Sequence, residues 1–199
     1  PFLAGKVVSE ACYSTNSSDS SSICPGGVTT STAAGSAMPY AGSCPTGKCD
    51  HGTHVAGIVA GKETSFSGVA KDASLIAVQV FSRIADCGNG SPCALTYTSD
   101  QILGLERVLA LRGVYNIAAV NMSLGGGQYS TQSDCDAENG SRKAAIDNLR
   151  AVGIATVIAS GNEGYTNSMA GPACISSAIS VGATWDSAYP SGLNCTGMP

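Results

Sequence analysis

The sequence predicts an α/β fold, a mostly parallel β-sheet with helices on both faces. Three observations lead there. Short apolar runs rich in branched residues alternate with longer segments of helical periodicity, as βαβ units do. The runs are nearly continuous in their apolar character, which suits strands covered on both faces. Glycines stand where helical segments stop, at Gly113 and Gly153.

The elements follow in order. Residues 6–9 read as a short strand. Residues 13–48 are rich in Ser, Thr, Gly and Pro, with cysteines in and around them, and read as one long ordered loop. Residues 51–61 are almost all small or apolar, the pattern of a buried helix, with Asp50 as its N-cap. Gly52, Gly57 and Gly61 each disfavour that helix by about 1 kcal/mol relative to Ala, so the segment implies close backbone approach to its neighbours. Residues 73–82 read as a strand. Residues 99–112 read as a helix capped by Ser99, with Ile102, Leu105, Val108 and Leu109 inward. A strand at 117–124, a helix at 141–152 with Ala145, Ile146, Leu149 and Val152 inward, and strands at 154–160 and 178–184 complete the pattern. Ligands bind outside the carboxyl ends of the strands in such sheets, which points to residues 123–126 and 160–162.

Composition bounds the function. The 199 residues suit one domain, carry a net charge of -4 and are only 12% charged, about half the usual fraction. Lys and Arg are scattered, so no nucleic acid or anionic membrane is expected as partner. No apolar run is long enough to span a bilayer and no signal-peptide pattern opens the chain, whose first residues read as mid-domain. Nine cysteines without a Cys-x-x-Cys pair argue for disulfides and a secreted or otherwise extracytoplasmic protein. Cys44 with Cys49 and Cys87 with Cys93 read as small closed loops, and Cys12 and Cys24 flank the Ser-rich stretch. Buried free thiols are the alternative, and an odd count leaves one thiol unpaired or paired elsewhere.

The chemistry concentrates at Asp50-His51-Gly52-Thr53-His54, which holds both histidines of the chain. A histidine opening a rigid helix can serve as a general base at neutral pH. A satisfied core histidine is the plainer reading. Metal binding by His51 and His54 lacks a third ligand, because Asp50 adjoins His51 and faces elsewhere.

His51-Gly-Thr-His-Val-Ala-Gly resembles the histidine motif of subtilisin-like serine peptidases, the subtilases. Further likenesses follow in the family's order: Gly68-Val-Ala leading into Leu75-Ile-Ala-Val-Gln-Val-Phe, then Asn121-Met-Ser-Leu-Gly-Gly-Gly, then Ala159-Ser-Gly-Asn-Glu-Gly, and last Pro172-Ala-Cys with Ala178-Ile-Ser-Val-Gly-Ala-Thr. Together they cover roughly residues 50–184. The resemblance implies that His51 is the general base, that His54 is structural, and that the Asn162 side chain donates to the oxyanion. It implies that Ser123, Leu124, Gly125 and Gly126 pair with substrate main chain as an added strand. Ala159, Ser160 and Gly161 would line a roomy primary specificity pocket that takes large uncharged side chains. His51 and Asn162 are expected to converge on one groove at the sheet rim. A plain turn before Glu163-Gly164 is the alternative for Asn162.

The family orders its triad Asp, His, Ser. No Asp-Thr-Gly or Asp-Ser-Gly turn precedes His51, and no Gly-Thr-Ser-Met-Ala motif follows Asn162. Asn167-Ser168-Met169-Ala170 imitates the serine motif, but it lies too close to Asn162 and precedes a strand, so Ser168 reads as a loop residue. The expectation is therefore residues 1–199 as a partial catalytic domain with a Ser/Cys-rich insertion at about 12–49. Its partners would be a peptide or protein substrate and the remaining segments of its own domain. Alone, the chain should be inactive. A catalytically incompetent peptide-binding fragment or pseudoenzyme is the runner-up, and a cysteine hydrolase using His51 finds no cysteine in a nucleophile context. No metal ligand is assigned. The short connection over residues 61–70 resembles proteinase K-like members of the family. Asp134, Asp136 and Glu138 are the candidates for calcium, against simple solvated carboxylates.

Overall fold

A computed structural model describes residues 2–40, 42, 49–88 and 91–184. The chain divides into two compact units, Pro1–Arg107 and Val108–Pro199.

In the first unit, β1 (Val7–Tyr13) lies between β3 (Thr30–Ser31) and β4 (Leu75–Gln79). The β1–β4 pair is parallel and the β1–β3 pair antiparallel. A second sheet, β2 (Ser20–Ser22), β5 (Phe81–Ile84) and β6 (Cys93–Thr96), is antiparallel. The expected long loop therefore holds two short strands and a 3-10 turn at Pro25–Gly27. Serine has little strand preference, so no pattern announced β2. Pairing with β5 and the Cys12–Cys24 disulfide, whose sulfurs belong to buried residues, draw the segment in. Ser14 and Ser82 share a hydroxyl hydrogen bond of 3.1 Å there, and the Thr15 hydroxyl donates to the buried Asp100 carboxylate at 2.9 Å. Strand β1 also runs four residues past the expected end. Ala11, Cys12 and Tyr13 at its far end are buried, which is what prolongs it.

Helix α1 (His51–Ala60) forms as expected, but Ala60 alone is buried and Ile58 is 69% exposed. The all-round apolar pattern implied burial on every side; the covering residues come from one side only. Phe2 lies against Gly57 and Gly61, where added Cβ atoms would meet its ring at 2.6 and 3.2 Å. The Val69 and Ala70 N–H groups donate to the Ile58 and Val59 carbonyls. The close approach expected of the glycines thus holds at Gly57 and Gly61, while a Cβ at Gly52 would meet nothing within 4 Å.

At Gly68 the close approach is to backbone alone. A Cβ there would stand 2.7 Å from the Gly57 and Ile58 carbonyl oxygens and 2.8 Å from the Ala60 nitrogen. All three are backbone atoms of the helix and cannot rotate away. Gly68→Ala is expected to cost roughly 1–3 kcal/mol, read as a lower urea midpoint. Gly52→Ala, with open space and better helix propensity, should raise that midpoint.

Helix α2 (Thr98–Leu111) opens one residue before the expected Ser99 cap, and buries Leu105, Val108 and Leu111. In the second unit β7 (Ala119–Met122), β9 (Ala155–Ala159) and β11 (Ile179–Val181) form a parallel sheet with β9 central. This is the βαβ arrangement read from the sequence. Helix α4 (Gly140–Ala151) packs Ala145, Ile146 and Leu149 inward, while Val152, also expected inward, is the exposed residue that ends the helix, and Gly153, with φ of +82°, turns the chain into β9. Three elements went unread: β8 (Gly126–Tyr129), α3 (Gln132–Glu138) and β10 (Met169–Gly171), with β8 and β10 paired antiparallel. Among the described residues, no helix is long and apolar enough to cross a membrane.

Candidate active site

The first unit presents His51 as the opening residue of α1, exposed to solvent. Asp50 occupies the N-cap position but gives no side-chain cap bond. Its carboxylate turns toward His54 instead, Oδ2 to Nε2 at 3.7 Å, an ion pair only when His54 is protonated. His54 was expected in a buried structural role; its side chain is 66% exposed, because α1 is covered from one side. Among the described residues no three His, Cys, Asp or Glu side chains gather as a metal site.

The second unit carries the other expected residues. Ser123, Leu124 and Gly125 leave the carboxyl end of β7, and Ser160, Gly161 and Asn162 leave the carboxyl end of β9, its parallel neighbour. The Asn121 carboxamide donates to the Ser123 hydroxyl at 3.0 Å. A Cβ on Gly125 would meet the Gly171 oxygen at 3.0 Å, the Ala170 methyl at 3.7 Å and the Ala159 oxygen at 3.8 Å. One on Gly161 would meet the Ala170 methyl at 3.0 Å. Gly125, Ala159, Gly161 and Ala170 thus meet in one wall, and the Ala170 N–H donates to the Ser160 carbonyl at 3.0 Å. Gly126, the last of the expected substrate-pairing residues, already stands in register with Gly171. Ser168 lies just before β10 and its hydroxyl accepts from the Gln128 carboxamide at 2.8 Å.

Gly161 has φ of +119°, a conformation that favours glycine. It swings the chain so that Asn162 is exposed at the strand end. The Asn162 N–H donates to the Glu163 carboxylate at 2.8 Å, and that carboxylate lies where a Cβ of Gly161 would project. The Asn162 carboxamide takes no hydrogen bond among the described residues.

Sequence reasoning missed β10, Glu163 and the disulfide between Cys135 and Cys174, 39 residues apart. The small apolar run Met169-Ala170-Gly171 before Pro172 was the available signal for β10, masked by its likeness to a serine motif. The disulfides number three between described pairs, Cys87–Cys93 among them as expected. Cys49 is disulfide-bonded, and Cys44 lies outside the described residues.

The calcium candidates are engaged locally. The Thr131 hydroxyl caps α3 by accepting the Asp134 N–H at 3.2 Å and donates to the Asp134 carboxylate at 2.7 Å, and Asp136 accepts the Ser176 N–H at 2.9 Å and hydroxyl at 2.6 Å. The Ser176 bonds, with Lys143 nearby, hold the Asp136 carboxyl below its ordinary value. A carboxyl depressed in the folded state adds stability above its unfolded value, near pH 4, and loses it as pH falls through the folded value. Protection of the amides of residues 169–177 is therefore expected to drop on acidification below about pH 4. Asp136→Asn should flatten that profile. Asp100 runs the other way, since burial raises its carboxyl despite the Thr15 bonds.

These features lie in two units, the histidine-bearing helix in the first and, in the second, a parallel sheet whose glycine-lined wall carries an exposed Asn at its rim. The sequence profile of the Subtilase family matches residues 29–196, and the chain belongs to that family. It is 34% identical over 150 residues to Subtilisin-like protease 2 of Trichophyton equinum, covering 75% of this chain and 31% of that protein. It is 37% identical over 134 residues to Alkaline protease 1 of Aspergillus clavatus, covering 67% of this chain and 28% of that one. Among solved structures, a protease from Pseudoalteromonas arctica matches with a TM-score of 0.61 and 24% identity, over 90% of this chain and 51% of that chain, a likeness of fold. The chain spans under a third of the curated relatives it matches.

Proposed function

We propose that these 199 residues are the central part of the catalytic domain of a secreted serine endopeptidase, with a Ser/Cys-rich insertion at about 12–49. The complete enzyme draws its aspartate and nucleophilic serine from segments that this chain lacks. His51 takes the serine proton as the hydroxyl attacks a peptide carbonyl, then returns it to the leaving amine. Asn162 and a backbone N–H hold the oxyanion. Ser123 to Gly126 pair with the substrate backbone, and Ala159, Ser160 and Gly161 receive the side chain before the scissile bond. Extracytoplasmic location is supported by the disulfides.

The observation that carries this reading is the wall itself. The family's substrate and oxyanion segments leave adjacent parallel strands, Gly125 abuts Ala159, and the Asn162 carboxamide at the rim takes no hydrogen bond among the described residues. The test is hydrolysis of peptide anilides by the full-length protein, with covalent labelling of its serine by a fluorophosphonate. Cleavage with labelling supports the proposal. A full-length protein that binds extended peptides without cleaving them is the pseudoenzyme. The isolated 199-residue chain is expected to cleave nothing. Robust cleavage by that chain, lost in His51→Ala, would demand a different nucleophile.

A further inference from the structure

We propose that Asp136 and the Cys135–Cys174 disulfide brace the substrate wall from behind, making Asp136 a positioning residue for the side chain the wall receives. This rests on the peptidase reading above. The route is continuous within the second unit. Cys135 and Asp136 are consecutive on α3, and both reach the turn that follows β10. Cys135 does so covalently through Cys174, and Asp136 by accepting the N–H and hydroxyl of Ser176 at 2.9 and 2.6 Å. Inside the turn the Cys174 N–H donates to the Ala170 carbonyl at 3.2 Å, and the Ile175 N–H to the Pro172 carbonyl at 3.1 Å. The Ala170 N–H donates onward to the Ser160 carbonyl. One residue, fully buried, thus links the braced turn to the segment expected to hold substrate.

The strand it sits on cannot fix its own place. β10 has three residues, one partner strand, and a register irregularity between Met169 and Gly171. Its position decides the surface between Gly125 and Gly161, because the Ala170 methyl lies 3.7 and 3.0 Å from where Cβ atoms on the two glycines would project. Two ties from α3, one a covalent disulfide and one a pair of hydrogen bonds to the Asp136 carboxylate, supply the fixity that a short irregular pairing lacks. The same turn is held on its other side by the Ser180 hydroxyl, which donates to the Ala173 carbonyl at 2.5 Å. Wall residues contact the substrate side chain in ground and transition states alike, so loosening them raises KM more than it lowers kcat.

The test compares full-length wild type, Asp136→Ala and Asp136→Asn on two peptide anilides that differ only in a Phe or Ala before the scissile bond. In Asp136→Ala, KM for the Phe substrate is expected to rise roughly fivefold or more while kcat stays within about twofold, with a smaller rise for the Ala substrate. Asp136→Asn keeps an acceptor and should fall between, and it carries the test should the Ala variant fail to fold. Hydrogen exchange of the Ala170 amide in the same proteins reads the brace without catalysis, and should quicken about tenfold in Asp136→Ala. Unchanged exchange in a folded variant overturns the brace. Faster exchange with an unchanged ratio of the two KM values overturns the positioning role. A wild type that cleaves neither anilide sinks the peptidase reading instead, and exchange alone then judges the brace.

Discussion

His51→Ala in the complete enzyme is expected to abolish peptide cleavage. The scale, on the order of 10⁶ in kcat, is the one measured on subtilisin itself and is carried over from that enzyme. The physical reason is that a serine hydroxyl is a weak nucleophile until a neighbour takes its proton during attack. The structure suits His51 to that task in two respects. It opens α1, so its ring is exposed and not spent inside the helix. The helix behind it is held hard: Gly57 and Gly61 seat Phe2, and the Ile58 and Val59 carbonyls are taken by the Val69 and Ala70 N–H groups. His54→Ala is the matched control. Its ring is exposed and its neighbour is Asp50, so activity should survive within a few-fold. The measurement is kcat/KM on a peptide anilide for wild type and both variants. Equal losses at 51 and 54 would sink the assignment of the base.

The sequence carried the central elements because they follow strong rules. Apolar runs at 117–124 and 154–160 became β7 and β9, and Ala145, Ile146 and Leu149 did line the inner face of α4. The rule that ligands bind at strand carboxyl ends pointed to residues 123–126 and 160–162, and those segments do leave neighbouring parallel strands. What went unread depends on partners distant in sequence. Ser20–Ser22 is a strand only because β5 offers it an edge. Met169–Gly171 is a strand only because Tyr129 and Gly126 lie opposite. Cys135 and Cys174 pair across 39 residues that spacing alone does not join. Burial of α1 was overread for a related reason. Periodicity reports what a helix can cover, while Ile58 and His54 show what its neighbours do cover.

Asn162→Ala is expected to lower kcat of the complete enzyme by roughly 10²–10³ with KM little changed, a magnitude known for the equivalent subtilisin donor and borrowed as such. The direction follows from where charge develops. A carbonyl oxygen is nearly neutral in the bound substrate and becomes an oxyanion in the tetrahedral intermediate, so a donor aimed at the latter position acts on kcat. The local backbone fits Asn162 for this. Gly161, at φ of +119°, bends the chain at the end of β9, and the Asn162 N–H is already given to Glu163. The carboxamide is then the group left to donate outward. Gly161→Ala bears on the same point. A Cβ there would need a strained φ and would collide with the Glu163 carboxylate and crowd the Ala170 methyl at 3.0 Å, so it should lower kcat and raise KM together. Steady-state kinetics of the two variants separate donor from wall. If Asn162→Ala raised KM and left kcat intact, the residue would be a substrate contact, and the oxyanion would have to be held by backbone alone.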